Sequence, residues 1–488
     1  MTSISKLFDQ AELALSAYAN LESNVDPIAE LKRIGFADVQ ARSFLEQWRL
    51  IDQYTDPRTG LSATVFEEVG TGGRGLAIRG TQLEAGDLLA DGLLALGVSD
   101  RLNPQWSALE AKLGDWLGEG GPLQGRPFTV SGHSLGGYLA VAVKARYGAR
   151  VSGAYLFNAP GSGGLLGTLG DLLSGVLTQS APGENGIWNL KASEGLSLIA
   201  GLGAQPSAAL PVHIEAAPGL GIDNHAIVRL TDALAVQAVY SELAPGLSQD
   251  RLNRLLDASG VSAERTLEAA LDALRRIILG LAAGRTAVDD REALHAHLQA
   301  LQDDAAYAAL KGNVQISVLA GATASDLKGM GSRNDALGLA TRYALQALNP
   351  FALVGADYSA FNAKGELDLF DPATGNGDFT PHYLTDRADF LARRLWFSAE
   401  DIEPVNPTYG YDGADHPYLR DAVFFEDAAT GDKIAQGFAP ESPFPNVQRY
   451  FFGDGCADHL CRVGRRLSER HHRQHCGERS YPLIGKRS

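Results

Sequence analysis

A serine flanked by glycines is the residue of this sequence best suited to nucleophilic chemistry. Ser134 lies in the run Ser-Gly-His-Ser-Leu-Gly-Gly, which contains the pattern Gly-x-Ser-x-Gly. A hydroxyl is a weak nucleophile at neutral pH, so it needs a general base and donors for the developing oxyanion. The pattern is typical of a sharp strand-to-helix turn in which a side chain at either glycine would clash. The β-prone segment Phe128–Ser131 before it and the helix-prone segment Tyr138–Ala142 after it favour such a turn.

Two histidines follow the serine before residue 290, and each is a candidate base. His213 lies in the strand-like run Pro211–Glu215, where a histidine is more often a paired residue of the surface or core. His225 lies in a loop just before a predicted helix, and loops at the ends of elements commonly carry catalytic side chains. We therefore predict His225 as the base.

Backbone N–H groups next to the serine could bind the oxyanion. The N–H of Leu135 is expected at the N-terminus of the following helix, where negative charge is stabilised. A second donor is expected from Thr81, which follows the predicted strand ending in Leu-Ala-Ile-Arg-Gly-Thr. The alternative for Thr81 is a plain strand terminus.

Hydrophobic spacing predicts the elements that must position these groups. The apolar residues from Leu7 to about Leu50 have helical spacing. Strands are predicted at Ser62–Val69, Gly75–Ile78, Pro127–Ser131 and Val151–Phe157, and helices at Asn103–Leu117, Leu135–Tyr147 and about Ala226–Tyr240. The order strand, turn, helix, strand around Ser134 predicts an α/β fold with a mostly parallel sheet.

The chain of 488 residues is too long for one ordinary domain, and its character changes along its length. Residues 1–240 form the predicted α/β domain, and residues 241–349 a helical or mixed segment. Residues 350–452 are predicted to be a small β-rich region. Residues 453–488 begin with one repeat-like motif and continue as an arginine-rich tail, which is either a natural disordered tail or the product of a shifted reading frame.

Several motifs in combination resemble the class 3 lipase family. Arg79-Gly80-Thr81, followed by Asp87 and Asp91 and then by Gly-His-Ser-Leu-Gly-Gly, occurs in that family's order. Phe157–Gly161 is similar to the family's segment after the elbow helix, and the segment after His225 is similar to lipase-like domains of large secreted bacterial proteins. The resemblance covers about residues 10–240. It implies an α/β-hydrolase fold and hydrolysis of carboxylic esters, with acylglycerols or other lipid esters as substrates.

The third catalytic member is an acid that orients the histidine. Glu194 follows the strand-like segment Ile187–Ala192, and its placement resembles that of the family's acid, although the family usually has aspartate there. Asp171, in a Leu- and Gly-rich segment, is the alternative. We predict Glu194 as the acid.

The net charge of −16 and the pI near 5.1 argue against a nucleic-acid partner. No apolar run is long enough for a membrane span, and the N-terminus has no signal-peptide pattern. Two apolar segments, 83–98 and 161–177, are either lids that meet a lipid–water interface or ordinary buried helices. Catalysis by these residues needs no cofactor. The three cysteines all lie after residue 455 in no zinc-ligand spacing, so no metal site is predicted in the body of the chain.

The segment Gly453–Leu460 resembles one turn of the Gly/Asp nonapeptide repeat that binds calcium in secreted bacterial proteins. The resemblance implies calcium as a structural ion and secretion by a route without an N-terminal signal peptide, or a cytoplasmic location if the C-terminal export signal is lost. Two other functions fit the same residues. One is phospholipase A1 activity; the other is a non-catalytic, calcium-repeat surface or toxin-like protein with a vestigial hydrolase domain.

Overall fold

The computed structural model describes most of the chain. The described residues are 2–22, 25–80, 98–159, 180–193, 205–215, 225–260, 266–280, 282–399, 423–426 and 433–436. The chain forms two compact units. Unit 1 comprises Met1–Asn253 and Arg285–Ala308, and unit 2 comprises Arg254–Gly284 and Ala309–Ser488. The boundaries at residues 240, 349 and 452 stay predictions.

A seven-stranded sheet with the strand order β1-β2-β3-β4-β5-β6-β7 is the centre of unit 1. Its strands are β1 Trp48–Asp56, β2 Leu61–Glu68, β3 Arg74–Ile78, β4 Phe128–His133, β5 Val151–Phe157, β6 Ile187–Ala192 and β7 Ala209–Val212. The first three strands pair antiparallel, and the pairs from β3 to β7 are all parallel. This mostly parallel sheet, with helices on both faces, confirms the predicted α/β-hydrolase type of fold.

Thirteen α-helices are described in the two units. In chain order they are α1 Ile4–Ser16, α2 Pro27–Arg33, α3 Asp38–Gln47, α4 Val98–Leu117, α5 Leu135–Tyr147, α6 Ile227–Leu243, α7 Gln249–Asp257, α8 Thr266–Leu279, α9 Arg291–Gln302, α10 Ala305–Leu310, α11 Ala324–Gly331, α12 Ala336–Ala347 and α13 Pro381–Ala399. Short 3-10 turns lie at Gly148–Arg150 and Ser359–Phe361.

The beginning of the sheet differs from the prediction. Helical spacing extends to Leu50, but α3 ends at Gln47 and Trp48 begins a strand. β1 pairs with β2 from Trp48 opposite Glu68 to Asp56 opposite Leu61, with a register shift between Leu50 and Asp52. Pairing with the next strand outweighs the local helical pattern here.

Helices cover both faces of the sheet because side chains along a strand point alternately to the two sides. On one face, buried Val130 of β4 belongs to a core with Trp106 of α4 and Leu139 of α5. On the other face, the Ser131 hydroxyl donates a 2.8 Å hydrogen bond to Gln10 of α1. Helix α1 also packs on α6. The N-terminal helix is therefore part of the wall behind the strand that leads to Ser134.

A buried ion-pair cluster holds α6 within unit 1. Asp232 of α6 accepts hydrogen bonds from Arg291 at 2.6 and 2.7 Å and lies 2.7 Å from Nε2 of His295. Arg291 also donates to the carbonyl of Gly35. Although burial opposes the charged form, Arg291 and His295 hold the pKa of Asp232 below its usual value. The cluster fixes the helix whose N-terminal end follows His225.

Unit 2 is of mixed character where it is described. β8 Gln315–Val318 and β9 Phe351–Val354 pair antiparallel, as do β10 Val423–Glu426 and β11 Lys433–Gln436. The range predicted as β-rich also contains α13, a helix of 19 residues. Pro381 occupies its first position, where a missing N–H costs nothing, and the Thr380 hydroxyl accepts from the N–H of Tyr383. The Asp, Gly and aromatic content that predicts a β-rich region therefore does not reveal this helix.

Candidate active site

Ser134 lies at a strained corner between a strand and a helix. β4 ends at His133, α5 begins at Leu135, and Ser134 between them has φ 54° and ψ −129°. A positive φ is costly for a residue with a side chain and persists where the surroundings impose it. The Ser134 N–H donates to the Phe157 carbonyl at 2.9 Å, and its carbonyl accepts from the N–H of Gly137 at 2.9 Å. The segment thus has the strand–turn–helix geometry that the Gly-x-Ser-x-Gly pattern predicts.

The two glycines of the pattern are required by close backbone contacts. A Cβ at Gly132 would lie 2.3 Å from the carbonyl oxygen of Gly136. A Cβ at Gly136 would lie 2.5 Å from the Ile78 carbonyl oxygen and 2.9 Å from the Gly80 nitrogen. Real Cβ atoms do not approach this closely, so any other residue would displace α5 from β4 or from the end of β3.

The end of β3 reaches the serine. A Cβ at Gly80 would lie 3.4 Å from the Cβ of Ser134 and 2.7 Å from the carbonyl oxygen of His133. Gly80 is the last described residue of this segment, and the predicted oxyanion donor Thr81 lies outside the described residues. The other predicted donor, Leu135, is the first residue of α5, where a helix leaves N–H groups without an intrahelical acceptor.

His225 lies next to the elbow. Its carbonyl oxygen accepts hydrogen bonds from Nε2 of His133 at 2.8 Å and from Nδ2 of Asn158 at 3.0 Å. The His133 and His225 rings are 4.9 Å apart, centroid to centroid. The other candidate, His213, follows β7 and contacts a different part of unit 1. Its backbone N–H donates to Asn253 Oδ1 at 3.0 Å. Of the two histidines, His225 is the one that the structure brings to the residue preceding Ser134.

The imidazole of His225 is buried and has no partner within the described part of the chain. Only 6 % of the residue is exposed, and neither Nδ1 nor Nε2 is hydrogen-bonded there. Burial, and secondarily the neighbouring His133, lower its pKa to about 3. The ring is therefore neutral at neutral pH and able to accept a proton. No hydrogen bond joins it to Ser134 Oγ among these residues, and such contacts are commonly looser without substrate.

The predicted acids cannot be placed beside this ring. Glu194 and the alternative Asp171 both lie outside the described residues, as do the apolar segments 83–97 and 161–177. The last described residues before Glu194 are Ala192, whose N–H donates to Asn158 Oδ1 at 2.9 Å, and Ser193. Identification of the acid stays a prediction.

Three residues beside the site were missed by sequence reasoning. Tyr18, directly after α1, lies 2.9 Å from Nδ1 of His133 through its hydroxyl oxygen. His133 and Asn158 are within segments that the motifs drew attention to, but nothing in the sequence pairs them with His225. Asn158 has φ 48°, a left-handed conformation that asparagine tolerates better than most residues. An asparagine directly after a predicted strand is therefore a weak sequence signal of a left-handed residue at that position.

Among the described residues, no group of three or more His, Cys, Asp or Glu side chains is arranged to hold a metal ion. The repeat-like segment Gly453–Leu460 lies outside those residues, so calcium binding stays a prediction. The part of the chain that is described contains no helix long and apolar enough to cross a membrane.

No family model and no curated protein matches the chain. Among solved structures, it is similar to the Lip2 lipase of Yarrowia lipolytica, with 17% identity, a TM-score of 0.30, and coverage of 44% of this chain and 82% of that one. A nonglycosylated form of the same lipase gives 14% identity, a TM-score of 0.24, and coverage of 39% and 71%. The lipase of Rhizopus microsporus var. chinensis gives 18% identity, a TM-score of 0.19, and coverage of 32% and 57%.

Proposed function

We propose that this chain is a carboxylic ester hydrolase of the lipase or esterase type, with Ser134 as nucleophile and His225 as general base. One observation carries the proposal. Ser134 is presented on a strained elbow at φ 54°, and the residue before it binds the backbone of a buried, neutral histidine whose ring nitrogens have no partner in the described structure. A buried imidazole of this kind costs free energy and suggests a catalytic role.

The reaction follows from these groups. Ser134 Oγ attacks the ester carbonyl carbon while His225 takes the hydroxyl proton, and the carbonyl electrons move to oxygen. The N–H groups of Leu135 and Thr81 bind that oxyanion. When the intermediate collapses, the C–O bond to the alcohol breaks and His225 returns the proton to the leaving oxygen. Water, activated by the same histidine, then releases the acid and restores the serine.

Glu194 is the proposed acid, with Asp171 as the alternative. A carboxylate accepting from His225 Nδ1–H would hold the tautomer in which Nε2 accepts the serine proton. It would also raise the low pKa that burial imposes on the ring, because it stabilises the imidazolium that forms. Glu194→Gln and Asp171→Asn separate the two assignments, since loss of the correct acid lowers kcat far more than loss of the other.

Lipid esters are the proposed substrates. The support is the combined motif resemblance to class 3 lipases and the leucine-rich composition of segments 83–98 and 161–177, the second of which has Asp171 as its one charged residue. Such segments suit an apolar acyl site at a lipid–water interface. Secretion, and calcium as a structural ion in the Gly453–Leu460 repeat, belong to the same proposal. Phospholipase A1 activity would use the same catalytic groups. Comparing triolein with phosphatidylcholine distinguishes the two.

Hydrolysis of p-nitrophenyl butyrate and palmitate tests the proposal. We expect Ser134→Ala to lose on the order of 10³-fold or more in kcat/KM. Ser131→Ala is a matched control, because that hydroxyl points to α1 and contacts Gln10 instead of the site. Equal rates for wild type and Ser134→Ala would contradict the proposal and favour a non-catalytic hydrolase domain.

A further inference from the structure

A chain of contacts passes behind the elbow and joins its two sides. Gly80 lies against the Tyr18 side chain, because a Cβ at Gly80 would be 2.9 Å from the hydroxyl oxygen. That hydroxyl lies 2.9 Å from Nδ1 of His133, and Nε2 of His133 lies 2.8 Å from the carbonyl oxygen of His225. The chain therefore begins at the residue before Thr81 and ends at the proposed base.

The direction of every bond in this chain follows from chemistry. The His225 carbonyl can only accept, so Nε2 of His133 must carry a hydrogen. In a neutral imidazole the other nitrogen then accepts, so Tyr18 must donate its single hydroxyl hydrogen to Nδ1. One arrangement of hydrogens therefore satisfies the hydroxyl, the imidazole and the carbonyl.

The surroundings keep this arrangement in place. His133 is 7 % exposed, and burial lowers its pKa to about 4, so the ring stays neutral at neutral pH. Burial raises the pKa of the Tyr18 hydroxyl, which therefore keeps its proton. A Cβ at position 80 would lie 2.9 Å from the Tyr18 oxygen, so Gly80 is needed for the hydroxyl to approach.

We propose that Tyr18 and His133 are positioning residues, which hold the Gly80 corner and the His225 backbone in fixed places on either side of Ser134. The inference rests on the proposed function. Neither ring nitrogen of His225 is bonded within the described residues, so its carbonyl bonds to His133 and Asn158 are what locate it. Catalysis depends on placement of the base and oxyanion donors to within a fraction of an ångström.

Loss of the Tyr18 hydroxyl should therefore act on kcat. In Tyr18→Phe, Nδ1 of His133 loses its partner, and His133 is no longer restricted to the Nε2–H tautomer. We expect kcat for p-nitrophenyl butyrate to fall about tenfold, because the base and the Gly80 corner are held less precisely, with KM within about twofold of wild type.

Two further variants separate positioning from general stability. Tyr307→Phe removes another hydroxyl, one that lies 3.0 Å from both the Val239 carbonyl and Glu242 Oε2, and should leave kcat unchanged. His133→Gln can place an amide N–H near the position of Nε2, whereas His133→Leu cannot, so glutamine should retain several times more activity. The proposal is wrong if Tyr18→Phe keeps wild-type kcat, or if Tyr307→Phe lowers kcat equally.

A spectroscopic readout is independent of turnover. In ¹⁵N-histidine-labelled full-length Ser134→Ala protein, His133 should show the Nε2–H tautomer and remain neutral at pH 5, and Tyr18→Phe should shift its Nδ1 resonance. An Nδ1–H tautomer, or titration near pH 6.5, would overturn the inference even if esters are hydrolysed. If the Ser134→Ala protein gives the expected spectrum but wild-type protein hydrolyses no ester, the hydrogen-bond chain is supported and the proposed function is contradicted.

Discussion

Nε2 of His133 donates a 2.8 Å hydrogen bond to the backbone carbonyl of His225, 92 residues further along the chain. The residue immediately before the proposed nucleophile is thus bonded to the backbone of the proposed base. Asn158, at the end of the next strand, donates to the same carbonyl. Through these two bonds, the ends of β4 and β5 together fix the backbone position of His225, just before α6. The sheet therefore positions the site directly.

The elbow glycines should tolerate no side chain. Gly132→Ala would bring a methyl group to 2.3 Å from the Gly136 carbonyl, so we expect loss of activity and a free energy of unfolding lower by about 2–4 kcal/mol. Gly114→Ala in α4 is the control, because nothing lies within 4 Å of its Cβ, and it should stabilise the protein by about 0.5–1 kcal/mol. Urea unfolding followed by tryptophan fluorescence measures both. A Gly132→Ala protein as stable as wild type would mean that the elbow is wrongly described.

Asn158 should contribute through both its side chain and its backbone. Asn158→Ala loses the bonds to His225 and to the Ala192 N–H and keeps a Cβ at φ 48°, whereas Asn158→Gly loses the same bonds but relieves the backbone of that Cβ. We therefore expect both variants to lower kcat, with alanine less stable than glycine by about 1 kcal/mol. Kinetics together with urea unfolding test this, and wild-type kcat in both variants would exclude a role for the amide.

The stability of the folded state should fall on mild acidification. His133 and His225 have folded pKa values lowered to about 4 and about 3, against 6.5 for an ordinary histidine. A histidine with a depressed pKa binds protons mainly in the unfolded chain, so its stabilising contribution is complete above pH 6.5 and is lost as the pH falls from there toward the folded value. Between pH 7.5 and pH 5 we expect a loss of about 1–2 kcal/mol from His133, whereas an acid bonded to His225 makes the share of His225 smaller. Urea unfolding of His133→Gln at both pH values should show a loss smaller than that of wild type by about this amount, and a loss identical to that of wild type would contradict the assignment.

The ion pair that anchors α6 should contribute far more to the free energy of unfolding than an exposed ion pair does. Arg291→Ala would leave Asp232 charged and buried, and we expect it to lower the free energy of unfolding by about 3–5 kcal/mol. Arg42→Ala removes an exposed pair with Asp38 and should leave the free energy of unfolding nearly unchanged. If the two variants differ by less than 1 kcal/mol in urea unfolding, the cluster does not anchor the helix as described.

The sequence predicts the local parts of this molecule better than the distant ones. The strands and helix around Ser134 follow from spacing and from a turn that only glycine allows, and the helix that begins just after His225 follows from its apolar pattern. Tyr18 and Asn158 could not be found in this way, because their importance lies in contacts made across more than 60 residues. The strand at Trp48 has another cause, since its pairing with the next strand, β2, overrides a helical pattern.

Covalent labelling of the serine tests the central claim most directly. A fluorophosphonate forms a P–O bond to an activated serine hydroxyl with loss of fluoride, and mass spectrometry of the digested full-length protein identifies the labelled residue. The account predicts labelling at Ser134 in wild type and in Ser131→Ala, none at this position in Ser134→Ala, and labelling slowed on the order of 10³-fold in His225→Ala. Labelling at another residue, or an undiminished rate in His225→Ala, would contradict it.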